Sequence, residues 1–154
     1  MSIAASAPPP TRPPEIKVET IMTKAVHVIT QSMTLRDAIK LLTEHKIAGA
    51  PIVDGMNNVI SVMTEGDALK LAALPGGMDK QISKCMDQLC KTNNLITAKA
   101  NDSFADVYKL FLHHGFHRVI VVDSSGKLHG LVSRSNVLRL LVESAPTNKE
   151  ATTA

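Results

Sequence analysis

The chain has 154 residues, of which 44% are hydrophobic and only 3% aromatic, and it carries a formal net charge of +3. That length suits one compact unit, or two small repeats sharing a core. The scarcity of aromatic rings argues against a stacking platform for single-stranded nucleic acid, and no Lys/Arg run marks a nucleic-acid arm, so nucleic acid is not an expected partner.

In chain order, residues 1–15 begin with an Ala/Ser/Pro leader (MSIAASAPPPTRPP) expected to be a disordered or polyproline-like tail. The N-terminus lacks the basic start and apolar block of a secretion signal. No stretch approaches the roughly 20 apolar residues of a membrane span. A cytoplasmic protein with no membrane association is therefore expected. Residues 17–24 form a short lead-in whose counterpart is residues 82–87, with Met86 matching Met22. A strand is expected over residues 25–29 (AVHVI), matched by residues 95–98 (LITA). Thr34 then precedes Leu35, Ala38, Ile39, Leu41 and Leu42 at helical spacing, with Asp37 three residues on. Ser103 and Asp106 stand the same way before Val107, Leu110 and Phe111. This is the capping-box pattern, in which a hydroxyl and an acid satisfy the free N–H groups of a helix start.

Residues 50–54 make a second strand, residues 55–58 a turn and residues 59–63 a third strand; Thr64-Glu65-Gly66-Asp67 steps into a last helix. Residues 119–122, 123–126, 128–132 and 133–136 repeat that series. Asp54 and Asp123 lie 69 residues apart, as do Thr64 and Ser133. Met22 and Met86 are only 64 apart, so the second copy carries about five extra residues near Cys90. Cys85 and Cys90 are spaced C-x4-C with no second pair and no nearby histidine. That is a poor zinc pattern, and a reduced state is expected. Residues 143–154 show no apolar period and should form a loose tail.

The order is strand, helix, strand, strand, helix, twice. One such unit leaves a sheet face bare, and two copies cover it by packing sheet to sheet about a pseudo-twofold axis. The expected fold is therefore mixed α/β (α+β). With Ile21-Met22-Thr23 in the lead-in, His45-x5-Pro51-x2-Asp54, His114-x8-Asp123, and the paired steps Ser61-Val62-Met63-Thr64-x-x-Asp67 and Gly130-Leu131-Val132-Ser133-x-x-Asn136, the chain resembles a tandem pair of cystathionine-β-synthase (CBS) domains, a Bateman module. Repeat 1 would span residues 16–76 and repeat 2 residues 77–142.

The resemblance implies a regulatory module that binds an adenosine phosphate (AMP, ADP or ATP) or S-adenosylmethionine in clefts between the repeats and acts on a partner protein. Which nucleotide is preferred, and whether magnesium accompanies it, is left open. It also implies a homodimer formed through helix faces. By family position, Thr64 with Asp67 and Ser133 with Asn136 would contact phosphate or ribose, with Ser135 adding a hydroxyl. His117 and Arg118 would face the phosphates. Backbone and apolar groups near Ile29, Ala50 and Pro51, or Ala98, Val119 and Ile120, would contact the base. A hydroxyl at a helix start does lie beside free N–H groups and the positive dipole end, a natural place for an anion. A carboxylate can also accept from two vicinal hydroxyls. Thr64-x-x-Asp67 is equally a plain helix cap that needs no ligand.

Four departures from the family pattern bear on function. Asn136 stands where Asp is usual, Ser61 replaces a glycine, Glu65 would repel phosphate, and Ala48-Gly49 occupy the place of His117-Arg118, so the first repeat is expected to bring no phosphate charge. A lopsided module follows. The six histidines form no catalytic or metal constellation, and the chain is read as a non-enzyme. Two other classes stand beside the sensor. One is a ligand-independent dimerisation scaffold; the other, resting only on a pI near 9.0 and the two cysteines, is a nucleic-acid-binding or redox-responsive adaptor.

Overall fold

The computed structural model describes residues 15–92 and 95–144. The first half runs β1 (Ile29–Thr30), α1 (Leu35–Glu44), β2 (Gly49–Val53), β3 (Val59–Thr64) and α2 (Glu65–Ala72). After a short helix α3 (Met86–Thr92), the second half runs β4 (Thr97–Lys99), α4 (Phe104–His114), β5 (Arg118–Val122), β6 (Leu128–Ser133) and α5 (Arg134–Ser144). Each half makes a three-stranded sheet whose central second strand pairs parallel with the first and antiparallel with the third. The expected β-α-β-β-α unit is therefore present twice. Most of both expected tails lies outside the described residues, and α5 continues to Ser144, past the boundary placed at residue 142.

Local chemistry sets the elements. At α1 the Thr34 hydroxyl accepts from the Asp37 N–H (3.1 Å) while Asp37 Oδ2 accepts from the Thr34 N–H (3.1 Å), a complete capping box. At α4 the Ser103 hydroxyl accepts from the Asp106 N–H (3.1 Å) without the reciprocal bond among the described residues. Each hairpin is closed by an aspartate. Asp54 Oδ1 accepts from the N–H groups of Met56 (2.8 Å) and Asn58 (2.9 Å), and Asp123 Oδ1 from those of Ser125 (2.9 Å) and Lys127 (3.0 Å).

Those bonds hold both carboxyls below the ordinary carboxylate range. The Asn58 side-chain amide is the main cause for Asp54, and the Ser125 hydroxyl for Asp123. A carboxyl depressed in the folded state binds its proton more readily unfolded. Its contribution is complete above the unfolded value of about 4 and disappears as pH falls through the folded one. Urea midpoints are therefore expected to fall from pH 5 towards pH 2.5, with a shallower fall in Asp54→Asn and Asp123→Asn. Equal slopes in wild type and both variants would refute this assignment.

The two lead-ins are exchanged between the halves. Phe104 N–H donates to Ile16 O (2.6 Å) and Val18 N–H to Asp102 O (2.9 Å), so the first lead-in docks on the second half. Leu35 N–H donates to Lys80 O (2.8 Å) and Ile82 N–H to Met33 O (2.8 Å), so the second docks on the first half. Val18 accordingly packs with Val107, Val119 and Val132, while Ile82, Cys85 and Leu89 pack with Leu35, Leu42 and Ile52. The hairpin turns also meet in offset-related pairs, Val59 N–H to Gly126 O (3.1 Å) and Leu128 N–H to Asn57 O (3.0 Å), as a pseudo-twofold relation requires.

The first strands are shorter than expected. In the sheet only Ile29 and Thr30 pair with Ile52 and Val53, and residues 25–28 peel away from it. In the second half pairing starts at Thr97, leaving Leu95 and Ile96 outside. The apolar alternation that suggested longer strands instead furnishes walls for the clefts described next.

Candidate functional site

Each step from third strand to last helix is held by its own side chains. The Thr64 hydroxyl accepts from the Asp67 N–H (3.2 Å), while Asp67 Oδ2 accepts from the Thr64 N–H (2.9 Å) and hydroxyl (2.9 Å). Asn136 Oδ1 takes the same two bonds from Ser133, both 2.8 Å, and Ser135 Oγ stands 3.1 Å from Ser133 Oγ. Asp67 keeps a second acceptor oxygen that is unengaged among the described residues, where Asn136 keeps a donor amide. The substitution of amide for acid thus leaves the cap intact and reverses the hydrogen-bonding sense of what remains.

Two pseudo-symmetric clefts open beside these steps. The larger, about 340 Å³, joins Ala25, Val26, His27 and Lys46 of the first half to Leu131 and Ser133 of the second. The smaller, about 220 Å³, joins Leu95, Ile96 and Phe116 of the second half to Val62 and Thr64 of the first. Gly49 and Pro51 line the larger, with Ile120 taking the place of Pro51 in the smaller. His117 and Arg118 border both. A third cavity, about 540 Å³, is larger than either, but it lies along α1 and α2 and includes neither His117 nor Arg118.

Arg118 reaches the shared position because of what faces it. It is the register partner of Ser133, and Gly49, its repeat equivalent, is the register partner of Thr64. A Cβ built on Gly49 would collide with Arg118 Nη1 and lie 2.8 Å from Met63 O, so the missing side chain at 49 is the room the guanidinium occupies. Burial pushes the Arg118 pKa down and nearby Glu65 pulls it back up. The guanidinium stays cationic. At the position equivalent to Glu65, Arg134 instead donates to Phe116 O (2.8 Å) and Gly115 O (2.9 Å), fixing the loop that walls the smaller cleft.

Not every expected contact is where it was placed. Ile29 and Ala50 have no accessible surface and belong to the hydrophobic core, so neither can flank a base; of that trio, Pro51 lines a cleft. Ala98 and Val119 are likewise core residues, whereas Ile120 borders the smaller cleft. Asp67, Ser135 and Asn136 stand behind Thr64 and Ser133 and do not form the cleft walls. Ser61, expected to crowd the backbone, is buried beside neither cleft, its hydroxyl without a partner among the described residues.

The first repeat was expected to bring no phosphate charge, yet its Lys46 lines the larger cleft. Its φ of +53° is a left-handed conformation, occupied at the equivalent turn by Gly115 (φ +63°). His27, also missed, stacks on His45 with ring centroids 3.6 Å apart. Aligning residues 46–49 with 115–118 would have singled out Lys46; His27 had no such signal.

Among the described residues, no group of three or more His, Cys, Asp or Glu is placed to hold a metal, and no helix is long and apolar enough to cross a membrane. Cys85 is buried, which raises its thiol pKa, and the Cys90 side chain lies outside the described residues.

The CBS domain family model matches residues 18–74 and 87–143. An uncharacterized 17.7 kDa protein of Acidianus ambivalens is 29% identical over 127 residues, 82% of this chain and 74% of its own. The chloroplastic CBS domain-containing protein CBSX2 of Arabidopsis thaliana is 27% identical, and the match spans 77% of this chain but only 59% of that protein. The crystal structure of CBSX2 in complex with AMP aligns with a TM-score of 0.66 over 82% of this chain and 96% of that one, at 27% identity. The CBS domain pair of protein MJ0100, in complex with 5′-methylthioadenosine and S-adenosyl-L-methionine, aligns at 0.69 with 25% identity over 84% of this chain and 98% of that one. Twice-matched by the family model and built from two interlocked copies of its fold, the chain belongs to the CBS domain family as a tandem CBS pair.

Proposed function

We propose that this CBS pair is a regulatory sensor that binds adenosine compounds in the clefts between its repeats and passes their occupancy to a partner protein. The observation that carries the reading is Arg118, a partly buried cation with Ser133 as its strand partner, opening onto clefts lined by short apolar walls. A guanidinium there supplies planar, permanently charged donors for phosphate oxygens, His117 and the Ser133 hydroxyl extend the set, and aliphatic walls suit a flat base. The AMP bound to CBSX2 and the adenosyl ligands bound to MJ0100 point to the same ligand class. No catalytic step is assigned, and a cytoplasmic location belongs to the same proposal.

Pairing of two modules through helix faces completes the proposal. Leu69 on α2 and its repeat equivalent Leu138 on α5 are 75% and 61% exposed, and Leu112 on α4 is 63% exposed. Single apolar residues in water are common, but three large ones exposed on helices favour a second copy.

The test is a calorimetric titration with AMP, ADP, ATP and S-adenosylmethionine. At least one phosphorylated ligand should bind, Arg118→Ala should weaken it about 10- to 100-fold, and Lys46→Gly should weaken it while relaxing the left-handed strain. A well-folded chain that binds none of them would instead be the ligand-independent scaffold, the reading Asn136 favours.

A further inference from the structure

We propose that the two clefts sort their ligands by charge: the larger takes the phosphorylated adenosine compound, and the smaller takes an uncharged purine nucleoside, because one arginine serves both. The inference rests on the adenosine-sensor reading and adds to it a rule of occupancy.

Arg118 borders both clefts from its place over Gly49, so its guanidinium can face only one bound phosphate at a time. The remaining charges are distributed unequally. Lys46 adds a second cation to the larger cleft and is absent from the smaller. The helix beyond Ser133 carries no acid in its first turn, whereas the one beyond Thr64 carries Glu65 and Asp67. A phosphate in the smaller cleft would therefore depend on Arg118 alone, beside the acidic start of α2, while a phosphate in the larger is offered both Arg118 and Lys46, beside the acid-free start of α5. A neutral nucleoside suits the smaller cleft on each count. Leu95, Ile96 and Ile120 offer apolar walls beside Thr64. At about 220 Å³ it is also the smaller of the two clefts, against about 340 Å³.

Calorimetry with AMP and adenosine on the wild-type chain decides the matter. AMP is expected to fill one site per chain, with any second site weaker by about 10-fold or more, as loss of one charge-assisted contact implies. Adenosine titrated into the AMP-saturated protein should still bind once per chain. Ile96→Trp, which fills the smaller cleft, should abolish that adenosine event and any weaker second AMP event, while the first AMP event, in the larger cleft, persists. Two equal AMP sites, or AMP that excludes adenosine altogether, would overturn the division of ligands and leave the sensor reading standing. If neither compound binds, the sensor reading fails, and the division falls with it.

Discussion

Ile82→Ala is expected to destabilise the whole module by about 3 kcal/mol, although Ile82 stands in a connecting segment. Truncating a buried isoleucine removes transfer free energy and leaves a cavity, typically about 2–5 kcal/mol together. Ile82 has no accessible surface and packs in the core of the first half with Leu35, Leu42 and Ile52. Its neighbours are pinned on both sides: Leu35 N–H donates to Lys80 O (2.8 Å) and Ser83 N–H to Gln31 O (3.0 Å), so the core cannot easily close over the lost methyl groups. A loss of this size is a substantial part of the roughly 5–15 kcal/mol that holds a domain folded. Because each half's core contains the other's lead-in, unfolding is expected as one transition, with the urea midpoint lowered and the slope kept. A cost below about 1 kcal/mol, or two separated transitions, would show that the lead-ins are not docked as described.

The exchange of lead-ins marks where sequence reasoning stopped. The repeat was visible because its punctuation is local chemistry: Thr34 with Asp37, Thr64 with Asp67, and the turn aspartates Asp54 and Asp123 all act on N–H groups within four residues of themselves. Val18 and Ile82 carry no comparable signal. An isolated β-branched residue in a connector says that it will be buried, not in which half. The same limit explains Ile29 and Ala50. A run of apolar residues identifies a strand, but β2 is buried along its full length, so alternation could not separate cleft from core. Residues 25–28 misled in the opposite sense, since a cleft wall and a strand use the same apolar alternation. Arg118 was placed by the family pattern, while its relation to both clefts depends on Gly49, a position where the informative feature is a missing side chain.

Gly49→Ala is expected to cost about 1–3 kcal/mol of stability and, in addition, to weaken AMP about 10-fold, though the glycine offers a ligand no side chain. The two effects have different origins. The new Cβ would lie 2.8 Å from Met63 O and 3.3 Å from the Thr64 Cα, both backbone atoms that cannot swing aside, and this sets the stability cost. It would also overlap Arg118 Nη1, the end of a flexible chain that yields by moving, and so the guanidinium leaves the position from which it faces both clefts. A double-mutant cycle separates these paths. In an Arg118→Ala background Gly49→Ala should retain most of its stability cost, because Met63 O is still there, and should lose its effect on AMP, because the group it displaced is gone. Were the methyl group to weaken AMP equally in both backgrounds, it would be acting by narrowing the larger cleft, and Arg118 would not be the phosphate-binding group that the proposed function and the sorting of ligands both require.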